Sequence, residues 1–565
     1  MGCTQFKSLG ENGRKSLDGG KDEKKAEYST LIKGLRYNMV KIKQYKLEDL
    51  YEVFENELGS AAMGCKVVKV RKKATGELFA CKTFDMNTYT DKSTQKNVAA
   101  MLRNEIEMLR RLDHPNVIRA YETIESDNCI HIIMELCEGG DLGSRTYSEA
   151  DSAVIISKLL RAIVYCHRYR VCHRDLKFEN ILWESKGEGA QGEPKLIDFG
   201  MSREFAAGVS MRERVGTVYT MAPEVLKGRY TEMADLWSIG CITFQLVTGT
   251  PAFECETELE TVKKLQTVKY AWPKGTEISS EAKEFVYKLL KYDPSKRITA
   301  QEALNHVWIT KWTNKSDETL NEVKLNKVMS QRTLNSMRTY STFGPFKKTA
   351  LMVLAYKIKP QQLSLIRKEF EKYDKDETGS IKLPVMRTVL LKQGVQNDEI
   401  DRIFKSMDVD QTGKIRYLEF LAAALGAMDD TWLNESRLKD AFQCIDVDHT
   451  GVIQYENLKA LLGRDYKTET VQKMLEEATC ERGMGITFEQ FVKLMHATND
   501  AFVEEELNAL EILEESVHVP VSIVRNLRLF TETKHKESEK RSSVDNMMSE
   551  DELNSNDSFC QNYEI

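Results

Sequence analysis

The chain has 565 residues, 41% hydrophobic and 30% charged, with a net charge of −6 and twelve cysteines. That is the composition of a soluble chain with room for several cores; it carries no global basic excess for nucleic acid, and no apolar run reaches the length that spans a bilayer. The cysteines form no CxxC pair and follow no secretory leader, so they are expected to be reduced cytosolic thiols, mostly buried.

Charge is uneven along the chain. Residues 1–46 hold eleven Lys/Arg against five Asp/Glu, a net of +6. They begin "MGCTQFK", where Gly2 is a myristoylation acceptor and Cys3 a palmitoylation candidate, although position six of the pattern wants Ser or Thr and holds Phe6. One acyl chain anchors only marginally, so Cys3 and the basic charge supply the second signal. Residues 1–45 therefore read as a basic, lipidated leader that ties a cytoplasmic protein to a membrane surface.

From residue 46 to 309 strand-like and helix-like runs alternate. A strand pair is expected through "YEVFENELGSAAMGCKVVKV" and "ELFACKTFD", a helix at "NVAAMLRNEIEMLRRL", a strand at "CIHIIMEL" and a helix at "SAVIISKLLRAIVYCHRY". "VCHRDLKFENIL" follows and carries chemistry. Asp175 supplies a carboxylate to accept a hydroxyl proton, Lys177 an ammonium to neutralise a moving phosphoryl group, and Asn180 an amide oxygen for magnesium. Asp198 in "LIDFG" follows an apolar strand, where it could hold a metal bridging two phosphates. Lys82 closes "FACK", and Glu105 on the following helix is placed to hold its ammonium against the α- and β-phosphates. Phosphoryl transfer needs positioning and charge neutralisation more than covalent chemistry, and these residue types supply both.

The ordered set Lys82, Glu105, "HRDLKFEN", "DFG" and "APE" (Ala222–Glu224) resembles a protein kinase domain. The resemblance implies a bilobal α+β fold. It makes Asp175 the catalytic base, with Lys177, Lys82 and Glu105 beside it, and Asn180 and Asp198 the Mg2+ ligands. The ATP site would be lined by Leu58, Gly59, Gly64, Val67, Ala80, Lys82 and the gatekeeper Met134. Glu135 to Cys137 form the hinge, and Asp141 meets the ribose. Arg297 in "DPSKRIT" would pair with Glu224, and Lys177 with "GT" at Gly216–Thr217 resembles the serine/threonine branch. Three departures stand out. The glycine-rich loop has Ala61 for a glycine, and its usual valine aligns with Lys66, with Val67 one residue late. "GGDLGSRTYSEAD" is a shortened linker. Between Asp198 and Glu224 no obvious activating Thr stands out; Ser210 and Thr217 are the candidates, and Thr217 reads as structural, so loop phosphorylation is not the favoured control. Asp141 and Glu179 resemble acids that hold arginines N-terminal to a target hydroxyl.

Four segments recur every 33 to 38 residues: "DKDETGSIKLPV" from Asp374, "DVDQTGKIRYLE" from Asp408, "DVDHTGVIQYEN" from Asp446 and "TCERGMGITFEQ" from Thr479. Calcium in a twelve-residue loop wants oxygens at positions 1, 3, 5, 7 and 9, a bidentate Glu at 12, and Gly at 6. The second loop meets this with Asp408, Asp410, Thr412, the Lys414 carbonyl and Glu419 around Gly413. The third keeps Asp446, Asp448, Thr450 and the Val452 carbonyl but ends in Asn457, a weaker site. The first ends in Val385, and the fourth has Met484 for Gly and ends in Gln490. All four keep Ile at position 8 (Ile381, Ile415, Ile453 and Ile486), which predicts two paired modules in which damaged loops serve as structural partners.

Between the two regions, "NEVKLNKVMSQRTLNSM", continued by "FKKTALMVLAYKI", reads as a basic amphipathic helix suited to the groove of an EF-hand pair. A kinase, a basic junction and four EF-hands in this order resemble the calcium-dependent protein kinases of plants and protists. The resemblance implies a kinase at 46–309, an autoinhibitory junction at 310–358, an all-α calmodulin-like domain at 359–498, and ATP, Mg2+ and Ca2+ as cofactors. Its partners would be protein substrates and its own junction. The extension 499–565 is polar towards its end and expected to be disordered. Rival readings are a non-catalytic calcium adaptor on a kinase scaffold and a calcium-indifferent kinase.

Overall fold

The computed structural model describes residues 42–497 apart from 44–45, 62–64, 90, 127, 207, 276, 319–328, 375–377, 410, 427–432, 463–467 and 480–484. Gly2, Cys3, Gly64, Asp410 and the extension from 498 lie outside the described residues, as do residues 480–484 of the fourth loop. The chain divides into two compact units, Met1–Phe488 and Glu489–Ile565; the elements described below belong to the first, apart from the short final helix that starts at Phe488 and runs into the second.

The first layer is a six-stranded sheet in the order β1-β5-β6-β4-β3-β2. Its strands are β1 (Ile42–Lys43), β2 (Tyr51–Ala61), β3 (Cys65–Lys72), β4 (Leu78–Asp85), β5 (Ala120–Ser126) and β6 (Cys129–Met134). β1 runs parallel to β5 and the other neighbours pair antiparallel. Where the sequence predicted a pair of strands before the first helix, β2, β3 and β4 form a three-stranded meander. The β-branched Val67, Val68 and Val70 favour extended backbone in β3, and Gly76 at φ +71° supplies the left-handed turn into β4.

Helix α1 (Lys92–Arg111) covers the sheet. Asp91 caps it by accepting from the Thr94 amide, and Val98, Leu102, Ile106 and Leu109 recur at helical spacing to form its buried face. Helix α2 (Glu149–Arg168) opens the second layer with a capping box between Ser148 and Asp151. It packs on α3 (Met233–Thr248), which packs on α4 (Ser280–Leu289). The core there is built on Trp237 stacked against Phe253 at 5.4 Å, with Phe244, Val286 and Leu290 beside it.

The C-terminal part is helical. Its described helices are α5 (Gln331–Thr342), α6 (Pro345–Lys357), α7 (Ser364–Tyr373), α8 (Leu383–Leu391), α9 (Asn397–Met407), α10 (Tyr417–Leu425), α11 (Glu435–Ile445), α12 (Tyr455–Leu462), α13 (Thr468–Thr479) and α14 (Phe488–His496). Two short bridges tie its loops in pairs. Ser380–Lys382 meets Lys414–Arg416 with Ile381 opposite Ile415, and Val452–Ile453 meets Ile486–Thr487 with Ile453 opposite Ile486. The four position-8 isoleucines pair as the repeat predicted, and all are buried.

The junction differs from expectation. One continuous helix was predicted, but α5 stops at Phe343 and α6 begins at Pro345 with Gly344 as its cap. Proline has no amide to donate and fixes φ, so it starts a new helix more readily than it continues one. "LMVLAY" is buried on every side, and a helix apolar all round must be covered; α6 packs on α10 and α11. It meets the kinase through Tyr356, whose hydroxyl donates to the Ala120 carbonyl and whose own carbonyl accepts from Arg119 at 3.3 Å.

Other contacts fasten this module to both kinase lobes. Lys72 pairs with Asp440 of α11, and Ser436 donates to the Ala74 carbonyl at 2.9 Å. In the first EF loop, Gly379 has φ +68°, and a Cβ there would stand 2.8 Å from the Tyr165 ring of α2.

Tyr165 also packs against His114, whose Nδ1 accepts from the Asn116 amide. Burial, then the charges of Arg161 and Lys195, lower the imidazole from 6.5 to about 3. The unfolded chain thus binds a proton that the folded chain refuses. This contribution to stability is intact above pH 6.5 and erodes as pH falls toward about 3, by about 1.4 kcal/mol per pH unit. His114→Gln is expected to show a shallower loss of urea resistance between about pH 6 and about pH 4.5 than the wild type. Equal slopes for the two proteins would remove this argument.

Candidate active site

β4 delivers Lys82 and α1 delivers Glu105. Their side chains meet at 2.7 and 3.0 Å, and Lys82 Nζ also reaches Asp198 Oδ1 at 3.2 Å. Burial works against the Lys82 charge, but Glu105 and then Asp198 outweigh it and hold the ammonium above its ordinary value. Burial would raise Asp198 too, yet Lys82 and neighbouring hydrogen-bond donors leave it below the usual carboxylate range. Asp198 sits in the left-handed region at φ 62°, and the buried Phe199 beside it lies edge-on to the His173 ring at 4.8 Å.

The loop from His173 to Asn180 is pinned from beneath. Asp235 on α3 accepts from the His173 and Arg174 amides, both at 2.9 Å, and from His167 at 2.8 Å. This leaves Asp175 buried but oriented. Its Oδ1 accepts from the Thr217 hydroxyl at 2.7 Å and its Oδ2 from Asn180 Nδ2 at 3.0 Å, while Lys177 Nζ lies 3.4 Å from Oδ2 and donates to Thr217 at 3.0 Å. Thr217 is thus a structural residue, as its place in "GT" predicted. Gly216 before it has φ +116°, and a Cβ there would stand 2.6 Å from the Arg174 carbonyl. The scaffold pair predicted from sequence is also present, with Arg297 holding Glu224 at 2.7 and 3.1 Å.

The nucleotide-side residues fall along one seam. Val67 stands directly opposite Lys82 in the β3–β4 ladder, whereas Lys66 stands opposite Thr83 and is exposed. Cross-strand partners share a face, so the register puts Val67, and not Lys66, on the Lys82 face of the sheet. Ala80 is buried opposite Met134, the last residue of β6, and Glu135 to Cys137 continue from it. Leu58 and Gly59 lie on β2, with Leu58 47% exposed at the strand's irregular stretch. Asp141 bridges to Leu182.

Sequence reasoning missed one residue. Glu213, in "MRERVGT", accepts from Arg174 at 2.7 Å and also pairs with Arg203, while its carbonyl accepts from Tyr230 at 2.8 Å. It puts a carboxylate against the arginine that precedes Asp175. The only signal in the sequence is an acid between two arginines, which reads equally as surface charge. Glu179, singled out earlier, is exposed and accepts from the Tyr219 hydroxyl at 2.9 Å.

Among the calcium loops, Asp408 accepts from the Thr412 and Gly413 amides, both at 2.8 Å, and Glu419 from those of Val409 at 2.9 Å and Arg416 at 2.8 Å. Gly413 takes φ +76° at position 6. In the third loop Asp446 holds the Thr450 and Gly451 amides in the same way, while Asn457 turns its amide nitrogen onto Asp448 at 3.0 Å. A neutral donor there faces a carboxylate that a metal would otherwise share, which fits the weaker site read from sequence.

The protein kinase domain family matches residues 52–309, and the EF-hand domain pair family matches residues 363–425. The chain is 33% identical over 442 residues to calcium-dependent protein kinase 14 of Arabidopsis thaliana, covering 75% of this chain and 80% of that one. It is 30% identical over 510 residues to calcium-dependent protein kinase 8 of the same plant, covering 86% and 92%. With calcium-dependent protein kinase 4 of Plasmodium berghei (strain Anka) the identity is 31% over 456 residues, 77% of this chain and 84% of that one. The chain belongs to the calcium-dependent protein kinase family.

In this kinase the Glu213 pair is half exposed. Glu213→Gln is expected to lower kcat by about two- to fivefold, the effect of losing up to ~1 kcal/mol, with Glu213→Asp retaining most activity. Steady-state phosphotransfer on a generic peptide measures it, and an unchanged kcat would mean the arginines need no counter-charge.

Proposed function

We propose that Asp175 is the base of a serine/threonine protein kinase whose activity is tuned through the second EF-hand. The chain is a calcium-regulated serine/threonine kinase that uses ATP with Mg2+. The observation that carries the residue assignment is the Asp175–Thr217–Lys177 triangle set beside the Lys82–Glu105–Asp198 cluster.

The chemistry follows from where these groups stand. Lys82, held charged by two carboxylates, fixes the α- and β-phosphates. Asp175 takes the proton of the substrate hydroxyl as its oxygen attacks the γ-phosphorus, and Lys177 balances the charge that gathers on the transferring group. Asn180 spends its amide nitrogen on Asp175, which leaves its oxygen as a neutral ligand. With the ionised Asp198, that oxygen makes a fitting donor set for Mg2+. When bound, Mg2+ neutralises phosphate charge. Leu58, Gly59, Val67, Ala80, Met134, Cys137 and Asp141 form the nucleotide seam, with Gly64 assigned from sequence alone.

Asp408, Thr412, the Lys414 carbonyl and Glu419 form the competent calcium loop, with Asp410 assigned from sequence. A site of about 1 μM affinity at about 10 μM free calcium contributes roughly 1.4 kcal/mol, against about 5.5 for a full switch from off to on. Regulation is therefore graded. Calcium activation is expected to follow a Hill slope near one and a rise of roughly tenfold, both abolished in Glu419→Gln; a slope of three or more would overturn the single-loop reading. Asp175→Asn is expected to abolish phosphotransfer while nucleotide binding persists, as followed by fluorescent-nucleotide titration.

Two finer readings extend this. Glu179 and Asp141, acidic groups near the catalytic loop, favour substrates with basic residues before the target hydroxyl. Gly2, Cys3 and the basic leader favour attachment of a cytoplasmic protein to an anionic membrane surface.

A further inference from the structure

The hinge residue Glu135 buries its carboxylate against a residue far along the chain. Lys195, on the short strand Pro194–Leu196 and three residues before Asp198, lies 2.8 Å from Glu135, and both side chains are almost fully buried. A second buried carboxylate, Glu184, lies 3.9 Å from the same ammonium. Arg367, from α7 of the EF-hand module, is also buried and stands 3.7 Å from Glu184 and 3.8 Å from Glu193, while Lys158 serves Glu193 at 3.0 Å.

Two buried carboxylates thus face one lysine inside the kinase, and the module supplies a further cation. With Arg367 in place, Glu184 has a partner of its own and Lys195 is left to Glu135. Without it, Glu184 must compete for Lys195 or take up a proton, because an unpaired carboxylate in this setting is costly. Burial already raises Glu184, with Lys195 and Arg367 opposing the shift. A second link runs in parallel: the Glu135 amide donates to the Arg119 carbonyl, and the Arg119 guanidinium lies over Tyr356 of α6.

We propose that Arg367 is a positioning residue for the nucleotide hinge: by pairing with Glu184 it frees Lys195 to hold Glu135, so that docking of the EF-hand module sets the affinity of the cleft for ATP. The inference rests on the reading of that cleft as an ATP site.

The test uses the full chain at saturating calcium. Arg367→Met is expected to raise KM for ATP by roughly three- to tenfold with kcat within about twofold, because the reacting groups are untouched. Glu184→Gln removes the competitor, so the double variant R367M/E184Q is expected to return to the KM of E184Q alone. Thermal melting and calcium titration of each variant establish that the module remains folded. A wild-type KM in R367M, or a double variant no better than R367M, would overturn the inference while leaving the active site as assigned. A wild-type chain that fails to bind ATP would overturn that assignment first.

Discussion

A buried ammonium shared between two carboxylates is the constraint on which the rest of the molecule depends. Lys82 cannot be charged inside the protein without Glu105 and Asp198, and these come from a helix and from a loop remote in sequence. Holding all three together requires α1 to sit against the sheet and the Asp198 segment to cross beneath it. The active arrangement of the cleft is therefore a statement about packing as much as about charge. The ion triplet costs desolvation and is repaid only if its geometry is kept, so whatever steadies α1 and the two lobes also steadies the chemistry.

The catalytic loop answers the same demand in a different way. Asp175 is kept in one orientation by neighbours that are neither substrate nor metal: Thr217, Asn180 and, below them, Asp235 gripping two successive amides. In the proposed role of base, a carboxylate that need not reorganise is the better catalyst. Its support extends outward through Arg174 to Glu213 in the segment before Gly216, so the order of that segment and the posture of the base are coupled by ordinary hydrogen bonds.

Much of this was legible in the sequence. The kinase motifs are short and their chemistry is local, so Lys82, Asp175, Asn180 and Asp198 could be named from spacing, and the structure gathers them. The isoleucine at position 8 of each loop gave the pairing of the EF-hands, because a two-residue bridge leaves a fixed register. What was not legible depends on tertiary contact. Whether Lys66 or Val67 faced the cleft turned on a ladder register that the altered glycine-rich loop obscures. The break at Phe343–Pro345 was hidden by a continuous apolar pattern, although Pro345 itself was a usable signal. Glu213 and Arg367 look like surface charges in a linear text. Only their partners, tens to hundreds of residues away, give them a role.

The first EF loop, which ends in Val385 and not in a carboxylate, carries a steric constraint beside its ligand positions. Val385 stands where the bidentate ligand would be, while the turn at Gly379 seats its bare backbone against the Tyr165 ring of the kinase. A side chain at Gly379 would collide with that ring, so the turn is limited in size as well as in backbone conformation.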